Sequence, residues 1–209
     1  MIRLPSSPAA ERNKEPILGA MRHHLPAGGR LLEIASGTGQ HAAWIGQRLP
    51  SWEWQPTEAN SAALPTIAAW TRALQASNVF APCLLDVNEP AWPTSDETLA
   101  SAFQHPFDAV YCANLLHIAP WSACAALMRG AVRHLRPGGL LLIYGPFFEA
   151  GLDTAPGNQA FDTSLRSQNP AWGLRELQAV KTMAESAGLQ LQHRLDMPAN
   201  NLMLVFAKP

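Results

Sequence analysis

Short apolar runs alternate along the chain with longer segments whose apolar positions recur at helical spacing. Residues 31–35 form a compact apolar run around Glu33, between a Gly-Gly turn and a Gly-rich loop, as expected of a buried strand. Residues 40–49 follow with Ala42, Ala43, Ile45 and Leu49 spaced for a helix. The alternation then repeats. Residues 52–57 read as a strand, 61–75 as a helix capped by Ser61 with Pro65 in its first turn, and 80–86 as a strand. A short helix is expected near Glu97 to Gln104, a strand over 108–113 and a helix over 120–135. The turn Arg136-Pro137-Gly138-Gly139 leads into a strand over 140–145. A helix over 174–187 stops at Gly188. Two strands, 189–195 and 202–207, close the chain; the five residues between them leave no room for a helix, so this pair is expected to be antiparallel. A further helix around Ile17, Leu18, Met21 and Leu25, with Pro16 in its first turn, precedes the first strand.

This alternation predicts an α/β fold, a doubly wound and mostly parallel sheet with helices on both faces, formed by one domain over residues 1–209. An N-terminal helical piece (1–27) precedes it. One long irregular stretch (146–173) interrupts it, and connections of that length commonly carry function.

Composition narrows the field. Hydrophobic residues make up 47% of the chain, which suits a packed core, and charged residues only 15%. Lys plus Arg (15) and Asp plus Glu (16) nearly cancel, so no global field recruits nucleic acid or an anionic membrane. Prolines number 18 but are scattered, marking loops and element starts. Cys83, Cys112 and Cys124 show no metal spacing, and Cys83 and Cys112 sit inside apolar runs as small buried hydrophobes. Nor do His23, His24, His105, His134 and His193 show metal-ligand spacing. The first sixteen residues lack the apolar core of a signal peptide, and the longest apolar stretch is too short to span a bilayer, so a cytoplasmic protein is expected.

In an open parallel sheet, ligands bind beyond the carboxyl ends of the strands near the point where strand order reverses. Four strand ends here carry suggestive residues. The first is Glu33-Ile34-Ala35-Ser36-Gly37-Thr38-Gly39, where glycines allow backbone to approach a ligand and the next helix offers its N–H groups. The same residues also satisfy a loose dinucleotide pattern, or simply a tight strand-to-helix turn. The second is Glu58, a carboxylate able to accept from ribose hydroxyls or to sit solvated in a loop. The third is Asp86-Val87, able to meet an adenine or to cap a turn, and the fourth is Asn114.

Taken together, these positions and the Pro-Gly-Gly turn resemble the class I S-adenosylmethionine-dependent methyltransferases over roughly residues 30–209. The resemblance implies a Rossmann-like seven-stranded sheet of order 3-2-1-4-5-7-6 with strand 7 antiparallel. Further stretches narrow it: Glu11-Arg12-Asn13-x-x-Pro16-Ile17, Gln40-His41, Glu58-Ala59-Asn60, Asn158 to Arg166, and Trp172-Gly173-x-Arg175. These are similar to the methyltransferase-like protein 26 family, whose match would cover nearly the whole chain. The resemblance implies S-adenosyl-L-methionine as cofactor. Gly37, Thr38 and Gly39 would pass beneath its methionine portion, with Glu33 fixing the loop. Glu58 would hold the ribose, Asp86 and Val87 the adenine, and Asn114 the methionine amino end.

Methyl transfer needs alignment more than covalent help, because the cofactor carries the activated methyl group. Should the acceptor have to lose a proton, His117 is the candidate base. Arg12 and Asn13, with Phe161, Asp162, Arg166 and Trp172 from the long stretch, are the expected acceptor-side residues. Those aromatics could equally seal a satellite core. A small, partly apolar acceptor is expected, and no nucleic acid or membrane partner. Two alternatives stand beside this reading: a nicotinamide-dependent oxidoreductase, which would lack a Tyr-x-x-x-Lys pair here, and a cofactor-binding protein without transferase activity.

Overall fold

The computed structural model describes residues 4–93 and 103–209. The chain begins with α1 (Pro8–His24), capped by Ser7, whose hydroxyl accepts the Ala10 N–H at 3.3 Å. Because capping starts the helix this early, Pro16 falls inside it rather than in its first turn. Asn13, Ile17 and Met21, at i, i+4 and i+8, share its buried face.

β1 (Gly29–Ile34), α2 (Gln40–Arg48) and β2 (Trp52–Glu58) follow as the apolar pattern predicts. The next helix is capped by Asn60 rather than Ser61: its side chain accepts the Ala62 N–H at 3.0 Å, a 3-10 turn spans Ser61–Ala63, and α3 runs Leu64–Ala73. β3 is confined to Cys83–Leu84, far shorter than the apolar run around it, because only those two residues pair with the end of β2. The helix expected near Glu97 to Gln104 lies mostly outside the described residues.

β4 (Phe107–Ala113), α4 (Ser122–His134) and β5 (Leu135–Gly145) complete the centre. The expected turn at Arg136–Gly139 is an excursion within β5. Phe107 pairs with Leu135 but Ala109 with Leu140, so extra residues bulge out of the ladder. Beyond β5, the long stretch is not irregular throughout. A two-residue strand β6 (Phe147–Phe148) is followed by α5 (Pro156–Gln168), whose only buried residue is Leu165. So weak an apolar stripe leaves little periodicity to read. β7 (Arg175–Glu176) pairs with β6, which delays α6 to Leu177–Ala187. Gly188 stops α6 in a left-handed conformation. β8 (Gln190–Met197) and β9 (Asn201–Ala207) end the chain.

The main sheet runs β3-β2-β1-β4-β5-β9-β8, with β6 and β7 apart in a sheet of their own. Counted within the main sheet this is the order 3-2-1-4-5-7-6. Its last strand, β9, is antiparallel to both neighbours. Side chains alternate between two cores. Leu32, Ile34, Val110, Cys112, Ile143 and Phe206 pack with α4 and α6. On the other face, Leu31, Trp54, Tyr111, Leu142, Tyr144 and Val205 meet α1 and α2. The three cysteines are free and buried. No helix among the described residues is long and apolar enough to cross a membrane.

Candidate functional site

The carboxyl ends of β1 and β2 are laced together by short polar contacts. Ser36 N donates to the Thr57 carbonyl at 2.8 Å, and the Thr57 hydroxyl donates to the Glu33 carbonyl at 2.7 Å. Over this base the chain turns through Ala35 (φ 56°), Gly37 (φ 57°) and Gly39 (φ 84°), all in the left-handed region. The two glycines serve different ends. A Cβ on Gly39 would stand 2.6 Å from the Ile67 Cα, so that glycine lets α2 and α3 close up. A Cβ on Gly37 would meet nothing within 4 Å, so that glycine faces open space.

Glu58, at the end of β2, holds the loop from the side. One carboxylate oxygen accepts the Gly37 N–H at 2.8 Å; the other accepts Ala59 N–H at 2.9 Å and Asn60 N–H at 3.2 Å. The Thr38 hydroxyl donates to Gln40 Oε1 at 3.0 Å, and the Ser7 N–H donates to the same oxygen. The segment before α1 is thereby fastened to the start of α2.

Glu33 is 2% exposed and accepts from the Trp54 indole at 2.9 Å. Burial pushes its pKa up to about 7; hydrogen bonds from Trp54 and Ser36 oppose the rise, and the Glu58 charge adds to it. Asp86 forms a turn, accepting the Asn88 backbone and side-chain N–H groups on one oxygen at 2.9 Å each. The Val87 side chain is buried in the apolar core, so its expected packing against a ring has little surface available.

A cleft of about 870 Å³ opens beyond the ends of β4 and β5. Arg12 and Asn13 of α1 line one side, and Asn158 and Phe161 of α5 another. Asn114, His117 and Tyr144 line it from the sheet edge. Asn114 sits at φ 61°, a second non-glycine in the left-handed region at a central strand end. Gly145 lies beside this edge: a Cβ on it would stand in ordinary contact, 3.5 Å from His117 Nδ1 and 3.8 Å from Asn114 Oδ1.

His117 is 5% exposed, with the Phe161 ring edge-on at 5.4 Å. Burial, and then the Arg175 charge, bring its pKa down to about 4, so the imidazole is neutral at physiological pH. Behind the cleft wall runs a buried polar chain. Tyr111 OH lies 3.2 Å from His41 Nδ1, and His41 Nε2 lies 2.7 Å from Asn13 Oδ1. Burial lowers the His41 pKa to about 4 and raises that of Tyr111, so the phenol donates to Nδ1 and the neutral ring donates from Nε2 to Asn13.

Of the residues singled out on the acceptor side, Arg12, Asn13 and Phe161 therefore meet at one cleft with Asn114 and His117. Asp162, Arg166 and Trp172 do not line it. Asp162 accepts from Arg166 Nε at 2.8 Å and from Leu174 N at 2.7 Å, and both side chains brace the turn at Gly173, where a Cβ would stand 2.7 Å from each. Glu33, Gly37, Thr38, Gly39, Glu58, Asp86 and Val87 occupy the neighbouring strand ends, outside the lining of the cleft. Tyr144 and Gly145 escaped sequence reasoning because they sit within an apolar strand. The lone polar atom of Tyr144 at that strand's last turn was the one available signal.

A family model described as "protein of unknown function (DUF938)" matches residues 4–208. The fold is similar to that of an O-methyltransferase family protein from Burkholderia thailandensis, at 16% identity and a TM-score of 0.76, covering 96% of this chain and 57% of that one. It is also similar to an O-methyltransferase family 2 protein from Planctomyces limnophilus solved with apigenin, at 18% identity and TM-score 0.76, covering 96% and 60%. A candidate methyltransferase from Bacillus halodurans matches at 15% identity and TM-score 0.69, covering 92% and 98%. The chain thus spans little more than half the length of the first two. At these identities the likeness establishes a methyltransferase-type fold.

Proposed function

The chain belongs to this family of unknown function, so its activity must be read from the site, and we propose that it is an S-adenosylmethionine-dependent methyltransferase with a small-molecule acceptor. In this reading residues 1–209 form one catalytic domain, with α1 and the 146–173 segment as its acceptor-side walls, akin to the methyltransferase-like protein 26 family.

The observation that carries the reading is the pairing of Glu58 with the Gly37 turn. A partly exposed carboxylate at the end of β2 borders a left-handed glycine whose missing side chain leaves open space in front of the loop. A carboxylate acceptor there suits the hydroxyls of an adenosine ribose, with the loop free to approach the methionine portion. Glu33, locked under the loop by Trp54, keeps its shape. Asp86 remains the candidate for the adenine amino group and Asn114 for the methionine amino end. When bound, the cofactor supplies an electrophilic methyl group on sulfur. The chain supplies position and exclusion of water. His117 is the candidate base, but neutral and weakly basic, so it is better suited to accept a hydrogen bond from an acceptor than to hold a full proton. The nearly balanced charge of the chain favours a small molecule over nucleic acid.

Calorimetric titration with S-adenosylhomocysteine and, separately, NADH tests the reading. Micromolar binding of the former is expected, about −7 to −8 kcal/mol. Glu58→Ala should weaken it by about 1.5–3 kcal/mol. Binding of NADH alone would favour the oxidoreductase alternative. No binding of S-adenosylhomocysteine at millimolar concentration would end the methyltransferase reading.

A further inference from the structure

The charge of the cleft is lopsided. Among the described residues that line it there is no Asp and no Glu, and Arg12 is the one Lys or Arg. Arg12 is exposed and has no hydrogen-bond or ion-pair partner among the described residues. A smaller hollow of about 260 Å³ around Arg194 is built in the opposite way. There Glu149 and Asp196, at 2.6 and 2.7 Å, already neutralise the guanidinium. An arginine left unpaired at the wall of an acid-free cleft is a ready partner for an anion.

Tyr144 supplies a second donor. The Tyr144 phenol lines the same cleft as Arg12 and as Asn13, whose Oδ1 is already engaged by His41. A phenol at that wall carries an O–H able to donate to a ligand in the cleft. Arg12 is near enough to Tyr144 to act on it electrostatically. The chain from Tyr111 through His41 holds the Asn13 side chain in place from the buried side. A single cation with neutral donors suits a single negative charge better than a phosphate dianion. The rest of the cleft, with Phe161, Pro146 and Pro198, offers apolar surface for an organic body.

We propose that the cleft selects acceptors bearing one carboxylate, with the anionic end held between the Arg12 guanidinium and the Tyr144 hydroxyl. This rests on the methyltransferase reading for the acceptor's role, but not for the binding itself.

The test uses the full-length protein saturated with S-adenosylhomocysteine and two matched pairs of probes: 4-hydroxybenzoate with 4-hydroxybenzamide, and 4-hydroxycinnamate with its amide. Ligand-observed NMR should show each acid binding at least about tenfold tighter than its neutral partner, the preference expected of charge-assisted hydrogen bonds. Arg12→Gln should erase that preference, Arg12→Lys should restore part of it, and Tyr144→Phe should reduce it several-fold. Equal binding of acid and amide overturns the proposal, as does binding of neither. A preference that survives Arg12→Gln overturns it too. A tenfold loss of S-adenosylhomocysteine affinity in Arg12→Gln also overturns it, by assigning Arg12 to the cofactor's own carboxylate. The probes are titrated again without S-adenosylhomocysteine. Failure of the cofactor titration with the acid preference intact therefore refutes the enzymatic reading alone.

Discussion

The strand-end wall built from β1, β2 and the glycine loop, beside the cleft, differs from the cleft wall built from α1 and α5. In the first, polar atoms are committed to the chain itself. Both oxygens of Glu58 accept backbone N–H groups, Thr57 ties to Glu33, and Glu33 to Trp54. In the second, Phe161 is 41% exposed and Arg12 reaches no fixed partner among the described residues. A surface whose hydrogen bonds are already made is preorganised and loses little entropy on meeting a ligand. A surface of exposed side chains on helices can adapt, at an ordering cost for each ligand it meets. The pattern fits a protein that keeps one ligand constant and lets the other be chosen by a softer wall.

Substitutions should separate the two walls by their effect on stability. The largest effect is expected at Gly39→Val. Its left-handed backbone and the 2.6 Å approach of the Ile67 Cα leave no space for any side chain. We expect a loss of at least about 3 kcal/mol, read as a fall of roughly 6–12 °C in thermal denaturation. A variant that melted like the wild type would show that α2 and α3 can part without cost and that the loop is not rigid.

Next comes the pH dependence of Glu33. Its folded-state pKa is raised from 4.5 to about 7, so the folded protein holds this proton more tightly than the unfolded chain. The associated stability is fully present below about pH 4.5 and is lost as pH rises through 7. Glu33→Gln removes that loss while keeping an oxygen for Trp54. Relative to wild type, the variant should gain about 2.5 kcal/mol between pH 5 and pH 8 in urea denaturation. His41 and His117 titrate in the other direction, since their lowered pKa values favour the folded state above pH 6.5, but they cancel in this difference. Parallel pH profiles for the two proteins would mean that Glu33 is solvated and does not stiffen the loop.

The smallest structural effect belongs to the other wall. Phe161→Ala should change stability by no more than about 1.5 kcal/mol, because the side chain is only partly buried. It should still lower methyl transfer to an acceptor about tenfold, roughly 1.4 kcal/mol in the barrier. A large drop in melting temperature would place Phe161 in a satellite core and remove the contrast between the walls.

The sheet was legible in the sequence because short apolar runs, separated by helical periodicity, leave few topologies open. The closing antiparallel pair followed from connection length alone. Less legible was α5, which buries only Leu165 and so shows no stripe. The brief β7 was also missed, since two residues carry no period.

Local chemistry gave the residues at strand ends: Glu33, the Gly37–Gly39 turn, Glu58, Asp86 and Asn114 all stand where a strand stops, a position set by the chain itself. What each side chain touches is a matter of distant segments. Two glycines of one motif diverged because α3 packs over Gly39 and nothing stands over Gly37. Arg166 and Asp162, polar residues on an exposed helix, were drawn to the Gly173 turn, whereas Arg12, 150 positions earlier, was left facing the cleft. Tyr144, in an apolar strand, became a cleft residue only because α1 brings Arg12 and Asn13 to the same strand end. Period and spacing fix which backbone atoms lie together; only the folding of α1 and α5 over the sheet edge decides which side chains are left without a partner.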